Sequence, residues 1–235
     1  MKLLLLSNST NAGEEYLKYP VNEIKRFLNG INEVLFIPYA IVTFSYNEYE
    51  KMVGDRLNEI GVKVISIHHF NNPIKEIKNA KCIVIGGGNT FKLLKTIQDK
   101  KLIEPIKQRV LNKSIPYIGW SAGSNMACPT IRTTNDMPVI EPDNMNALNF
   151  IPFQINPHYQ DTNLKNHAGE TLEQRILEFI NINKNIYVVG LREGTILKII
   201  DSRVELIGNK PVRVFKYGNE IMEYKPGDNI NFLMM

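Results

Sequence analysis

Short apolar runs, each halted by a polar or glycine string, recur through the first half of the chain. Leu3 to Leu6 stops at Ser7-Asn8-Ser9-Thr10-Asn11, Val34 to Ile37 stops at Pro38, and Cys82 to Ile85 stops at Gly86-Gly87-Gly88. Val62 to Ile67 and Pro116 to Trp120 follow the same design. Runs this short, apolar at both odd and even positions, predict strands buried on both faces. Between them Tyr46, Tyr49, Val53, Leu57 and Ile60 recur at helical spacing, as do Leu93, Leu94, Ile97 and Leu102. Asn72-Pro73 has the form of an N-cap followed by a first-turn proline, opening a helix toward Ala80. Alternating strands and helices with short links predict an α/β fold, a mostly parallel sheet with helices on both faces.

Beyond Pro129 the pattern changes. Residues Thr130 to Gly169 are rich in Asn, Pro and Asp with only short apolar pieces, which predicts a long loop region of functional interest. Leu172, Ile176, Phe179 and Ile180 mark a helix opened by Gly169-Glu170-Thr171. Four closely spaced β runs follow, Ile186 to Val189, Thr195 to Ile200, Val204 to Ile207 and Val212 to Phe215. Gly208-Asn209 and Gly218-Asn219 supply turn residues, so this end is expected to be an antiparallel C-terminal extension. No repeat, low-complexity tract or linker divides the chain, and residues 1–235 are read as one α/β domain.

Composition narrows the function. Of 235 residues 43% are hydrophobic and 22% charged, ordinary globular usage that excludes a disordered or fibrous chain. The net charge of +4 is spread along the sequence and not clustered with aromatic residues, which argues against nucleic acid as a partner. Leu3 to Leu6 is too short for a membrane span or a signal-peptide core. Two cysteines, Cys82 and Cys128, form neither a disulfide framework nor a metal motif, and suit a reducing compartment. A soluble cytoplasmic protein, monomeric or a small homo-oligomer, is the expectation.

The chemistry gathers at Gly119-Trp120-Ser121-Ala122-Gly123, a G-x-S-x-G string directly after a strand. A serine at a sharp strand-to-helix turn is exposed and strained, and flanking glycines let neighbouring backbone pass without Cβ clashes. The competing reading is a tight turn with Ser121 as an N-cap. Gly86-Gly87-Gly88-Asn89-Thr90 ends the preceding strand, without the spacing of a nucleotide loop. Adjacent parallel strands bring their end loops together in the crevice where ligands bind. The Gly88 and Ala122 N–H groups are therefore assigned as oxyanion donors, while Asn89 or Thr90 caps the following helix.

A serine nucleophile needs a base. Of the four histidines, His158 in Gln154-Ile155-Asn156-Pro157-His158 is the best candidate, since a proline fixes the chain beside it. His68-His69 has no carboxylate close in sequence and reads as surface or core, and His167 reads as solvated loop. His158 with Asp161, or His167 with Glu170, lacks a helical His-x-x-x-His frame, so neither a metal nor a cofactor is expected. Either Asp136 or Glu193 suits the acid role: Asp136 gives the Ser-Asp-His order of the α/β-hydrolases, and Glu193 lies at a turn near a strand end. Spacing leaves that choice open.

Six blocks in order resemble the peptidase E (α-aspartyl dipeptidase) family of serine peptidases. They are Ile85 to Phe91, Gly119 to Ser124, Thr134 to Pro138, Gln154 to His158, Gly169-Glu170-Thr171 with Glu173 to Ile176, and Gly190-Leu191 with Glu193-Gly194. The likeness spans nearly the whole chain. It implies a class I glutamine amidotransferase-like (flavodoxin-like) fold, whose elbow carries cysteine where this chain has Ser121. It implies a Ser121, His158, Glu193 triad, short peptides with N-terminal Asp as substrates, and Asp136, Asn89 and Arg175 near the substrate or supporting it. The sequence departs from the family at Leu172, where arginine is expected to hold the substrate's aspartyl group. Arg132, Arg175 or Arg192 must then supply the cation, or selectivity for Asp is relaxed. A broader acyl hydrolase and a non-catalytic binder on the same scaffold are the alternatives.

Overall fold

The computed structural model describes residues 1–161 and 169–235. In chain order, β1 (Lys2–Leu6), α1 (Val21–Leu28), β2 (Glu33–Ile37), α2 (Tyr46–Asn58), β3 (Lys63–Ser66), α3 (Pro73–Asn79) and β4 (Ile83–Ile85) are followed by α4 (Thr90–Asp99) and α5 (Ile103–Lys107). Then come β5 (Pro116–Trp120), α6 (Ala122–Asn125), β6 (Gln154–Tyr159), α7 (Leu172–Ile182), β7 (Val188–Arg192), β8 (Ile196–Ile200), β9 (Arg203–Ile207), β10 (Val212–Phe215) and β11 (Met222–Tyr224). A seven-stranded sheet has the order β3-β2-β4-β5-β1-β8-β9. Its first five members are parallel, and β8 and β9 continue it in antiparallel fashion.

The leucine run of β1 shows why five apolar residues make a central strand. Side chains alternate between faces, so Leu3 and Leu5 pack with α3, α4 and α5, whereas Leu4 and Leu6 pack with α1 and α2. Both faces are covered, as the patterning predicts. Local signals open the helices: Ser45 forms a capping box with Glu48 at α2, Asn72 and Pro73 start α3, and Thr171 with Gln174 does for α7 what Ser45 does for α2.

Strand order departs from the flavodoxin expectation, in which β1 would lie inside the sheet beside the next two strands. Here β1 pairs with β5 and β8, with Leu6 opposite both Trp120 and Ile196. Counting from β2, the spatial order is that of flavodoxin with β1 in the fifth place. The apolar runs are alike in composition, so nothing local tells each which neighbour to take.

The C-terminal half needs two further corrections. The stretch 130–169, expected as loop, contains β6, and β6 pairs in parallel with β7. The last β runs do pair antiparallel, but they are divided between two sheets and do not form one extension. Strands β8 and β9 join the main sheet, and β7 and β10 enter a second, four-stranded sheet of order β11-β10-β7-β6. Ile155, Val189, Leu191, Val212 and Val214 from the second sheet share one apolar cluster with Leu3, Leu5, Ile37 and Tyr117 from the first.

Candidate active site

Ser121 stands between β5 and α6 with φ 50° and ψ −112°. A non-glycine residue there carries roughly 1–3 kcal/mol of strain and persists only where its surroundings hold it. They do so here: the Ser121 N–H donates to the Leu6 carbonyl, and Ser124 Oγ donates to both Leu6 and Gly119 carbonyls. At Gly123 a Cβ would lie 2.1 Å from the Ile85 carbonyl oxygen, so the turn closes against β4 only if the side chain is absent. Gly88, at φ +131°, packs against the Ala40 carbonyl in the same manner.

His158 arrives from the second sheet. It sits at a register break between Pro157 and Tyr159 in the β6–β7 pairing, with φ 55°. An extra residue of this kind bends a strand and re-aims a side chain. The freed His158 N–H donates to Ser7 Oγ at 2.9 Å, and Ser7 Oγ–H donates to the Leu191 carbonyl at 2.7 Å. One buried hydroxyl at the end of β1 thereby holds the bulge to both sheets. The imidazole is placed with Nε2 3.0 Å from Ser121 Oγ and Nδ1 2.7 Å from Glu193 Oε1. Glu193 follows β7 at a turn fixed by Asn8, whose Oδ1 accepts the Gly194 N–H.

Asp136 does not meet the imidazole. Its Oδ2 accepts from the Thr90 N–H (2.7 Å), Thr90 Oγ1 (2.5 Å) and Thr134 Oγ1 (3.0 Å), which ties it to the start of α4. Asn89 is occupied as the N-cap of α4, and its Nδ2 donates to the Met137 carbonyl. The three arginines separate. Arg192 is buried and consumed by Asp161, Glu223 and the Pro211 carbonyl. Its guanidinium holds the Asp161 carboxyl below the usual aspartate range. Arg132 and Arg175 are exposed and line a cavity of about 180 Å³ together with Asp136, Asn156, Leu172 and Phe179. Arg175 also lies 3.9 Å from Glu170.

A second cavity, about 450 Å³, opens over Ser121, His158, Gly88 and Asp136 and has an apolar wall of Tyr16, Ile41, Phe44, Met52 and Trp120. Tyr49 backs it, donating to the Gly87 carbonyl and accepting from Trp120 Nε1, and burial pushes its phenol up to about 12. The larger groove along β9, about 940 Å³, shares no lining residue with this site. Both thiols are buried; burial raises Cys128 to about 12 and Cys82 further, which leaves them inert.

Sequence reasoning missed Ser7 and Asn8. Their position at the carboxyl end of a buried parallel strand was the available signal. It also missed the carboxylate facing His68-His69: Glu50, from α2, lies 2.5 Å from His69 Nε2. His167 lies outside the described residues. Among those described, no helix is long and apolar enough to cross a membrane.

Comparison with known proteins gives one answer. Residues 3–207 match the family model described as Peptidase family S51. A protein named Peptidase E from Nostoc sp. is 53% identical over 234 residues, covering 99% of this chain and 96% of its own. The Peptidase E of Salmonella typhimurium is 43% identical over 227 residues, covering 97% and 99%. Two crystal structures are similar in fold: a peptidase from an acI-B1 actinobacterium (TM-score 0.67, 16% identity, 97% and 96% covered) and a putative Peptidase E protein from Listeria monocytogenes (TM-score 0.60, 22% identity, 95% and 98% covered).

Proposed function

The chain belongs to peptidase family S51 and is a serine peptidase, and we propose that it hydrolyses dipeptides with an N-terminal aspartate through Ser121, His158 and Glu193. One observation carries the triad: the same imidazole is within hydrogen-bond reach of a strained serine on one side and a carboxylate on the other. An ionised carboxylate accepts only, so Nδ1 carries the proton toward Glu193 and the Nε2 lone pair faces Ser121 Oγ–H. Ser121 attacks the scissile carbonyl while its proton passes to Nε2, and Glu193 stabilises the imidazolium. The Gly88 and Ala122 N–H groups receive the oxyanion; one such donor is worth about 10²–10³ in kcat. His158 then gives its proton to the leaving amine, and water, activated by the same nitrogen, releases the acyl group.

The two cavities divide the substrate. Arg132 and Arg175 line the smaller one and suit a short acidic side chain, with Leu172 as an apolar wall where the family's arginine is expected. Asp136 lines both cavities. Its charge, anchored through one oxygen on Thr90 and Thr134, suits the substrate's α-ammonium group. The apolar wall of the larger cavity accommodates the leaving residue. The likeness to class I glutamine amidotransferases belongs to the same reading, with serine in place of cysteine at the elbow.

Hydrolysis of Asp-Leu tests the triad. Ser121→Ala is expected to lower kcat by about 10⁴–10⁶ with the melting temperature retained, and Glu193→Gln by roughly 10³–10⁴. Asp136→Asn is expected to act chiefly on KM. Near-normal turnover by Ser121→Ala refutes the assignment. For selectivity, Asp-Leu is expected to exceed Ala-Leu in kcat/KM, and Arg175→Ala to cost Asp-Leu about tenfold while sparing Ala-Leu, because the substrate carboxylate loses a charge-assisted hydrogen bond. Equal rates on both substrates in the unaltered enzyme would establish the relaxed peptidase instead.

A further inference from the structure

His68 and His69, at the end of β3, face Glu50 on α2, and none of the three lines the cavity over Ser121. The two imidazoles stack at 4.0 Å between ring centroids, with 38° between planes. His69 Nε2 lies 2.5 Å from Glu50 Oε2. The ligand atoms offered by the three residues all lie within 4.8 Å of one another. Tetrahedral zinc with nitrogen and oxygen ligands requires about 3.3 Å between them, a closure within the reach of side-chain rotation.

Ser66 organises the group from behind. Its hydroxyl lies 2.6 Å from His68 Nδ1, and its N–H donates to Glu50 Oε1 at 2.9 Å. One residue thus orients an imidazole and a carboxylate through the atoms a metal would not use, the arrangement that outer-shell partners supply at metal sites. With Nδ1 held by Ser66, His68 Nε2–H donates to Asn47 Oδ1 at 2.7 Å; a metal ion would displace that proton, taking Nε2 as a ligand with Asn47 Oδ1 beside it as a further oxygen ligand. An ion pair between Glu50 and His69 needs only one imidazole. The second, stacked on it, repels the first when both are protonated, whereas one divalent ion accepts both lone pairs and the carboxylate together.

We propose that Glu50, His68 and His69 form a binding site for a divalent transition-metal ion, with zinc, which takes two imidazoles and one carboxylate, as its probe. The ion would clip α2 to the end of β3. The same helix carries Tyr49, whose hydroxyl donates to the Gly87 carbonyl, so the clip steadies one wall of the cavity over Ser121.

The test is titration of the chelator-stripped full chain with zinc chloride, by calorimetry and by melting temperature. One zinc per chain is expected, with binding accompanied by a rise in melting temperature. His69→Ala and Glu50→Gln are each expected to weaken this binding by about tenfold or more, while His158→Ala retains it. The metal-free melting temperature of each variant reports its fold, and His69→Gln replaces any variant that melts early. The proposal is overturned if the unaltered chain binds zinc more weakly than about 0.1 mM, if the His69 and Glu50 variants bind as it does, or if His158→Ala alone abolishes binding.

Discussion

Two halves of the site meet at a 3.0 Å contact and are built by different means. The serine half consists of the ends of adjacent strands, β4 and β5, with turns pressed so closely that Gly123 and Gly88 have no room for a Cβ. Its geometry follows from close backbone contacts among the ends of neighbouring strands of one sheet, β1, β4 and β5. The imidazole half comes from the second sheet and depends on a bulge, a buried hydroxyl 151 residues away in sequence, and a turn pinned by Asn8. Below it, Arg192 ties Asp161 on one side to Glu223 on the other. The serine turn is fixed within one sheet, whereas bringing the imidazole to it requires contacts between the two sheets.

That contrast is sharpest at Gly123. The Gly123→Ala variant must push β4 away from the elbow, and a cost of about 1–3 kcal/mol in stability is expected from such overpacking, together with loss of most activity. A chemical-denaturation midpoint and kcat for Asp-Leu measure both. Unchanged values would show that the elbow yields more readily than its packing suggests.

A smaller effect is expected from the other half. Ser7→Ala removes the acceptor for the His158 N–H and the donor to Leu191, leaving buried polar groups unpaired at about 1–3 kcal/mol. The expected kinetic outcome is a fall in kcat of about tenfold with KM little changed, since a modest misplacement of a catalytic group is felt at this scale. A change confined to KM would place Ser7 outside the alignment of the base.

The smallest effect concerns Asp161. Its folded-state pKa is depressed by Arg192, so its stabilising contribution is present above the unfolded value of about 3.9 and is lost as pH falls through the lower folded value. The melting-temperature difference between the native chain and Asp161→Asn should therefore be full at neutral pH and shrink below about pH 4. A difference that stays constant into acid would remove the ion pair as its source. Asp161 is partly exposed, which keeps the expected shift small.

How far the sequence could be read follows the same division. The β1 to β5 strands, α2, α3 and α4, the cap at Asn72, the helix opening at Gly169-Glu170-Thr171 and the serine elbow were legible because each is written in consecutive residues: short apolar runs, helical spacing, capping side chains and glycines at a tight turn; α1 was not. His158 was legible as a candidate through its neighbouring proline. Spacing alone left Asp136 and Glu193 equal, because each lies at a turn and nothing along the chain measures its distance from an imidazole. The tertiary structure puts Asp136 on Thr90 and Glu193 on His158. It also decides where β1 enters the sheet, that β6 is a strand, and that Ser7 and Glu50 find their histidines. Strand pairing and buried hydrogen bonds are chosen by competition among distant segments of similar composition, so their outcome is fixed only when the whole core closes.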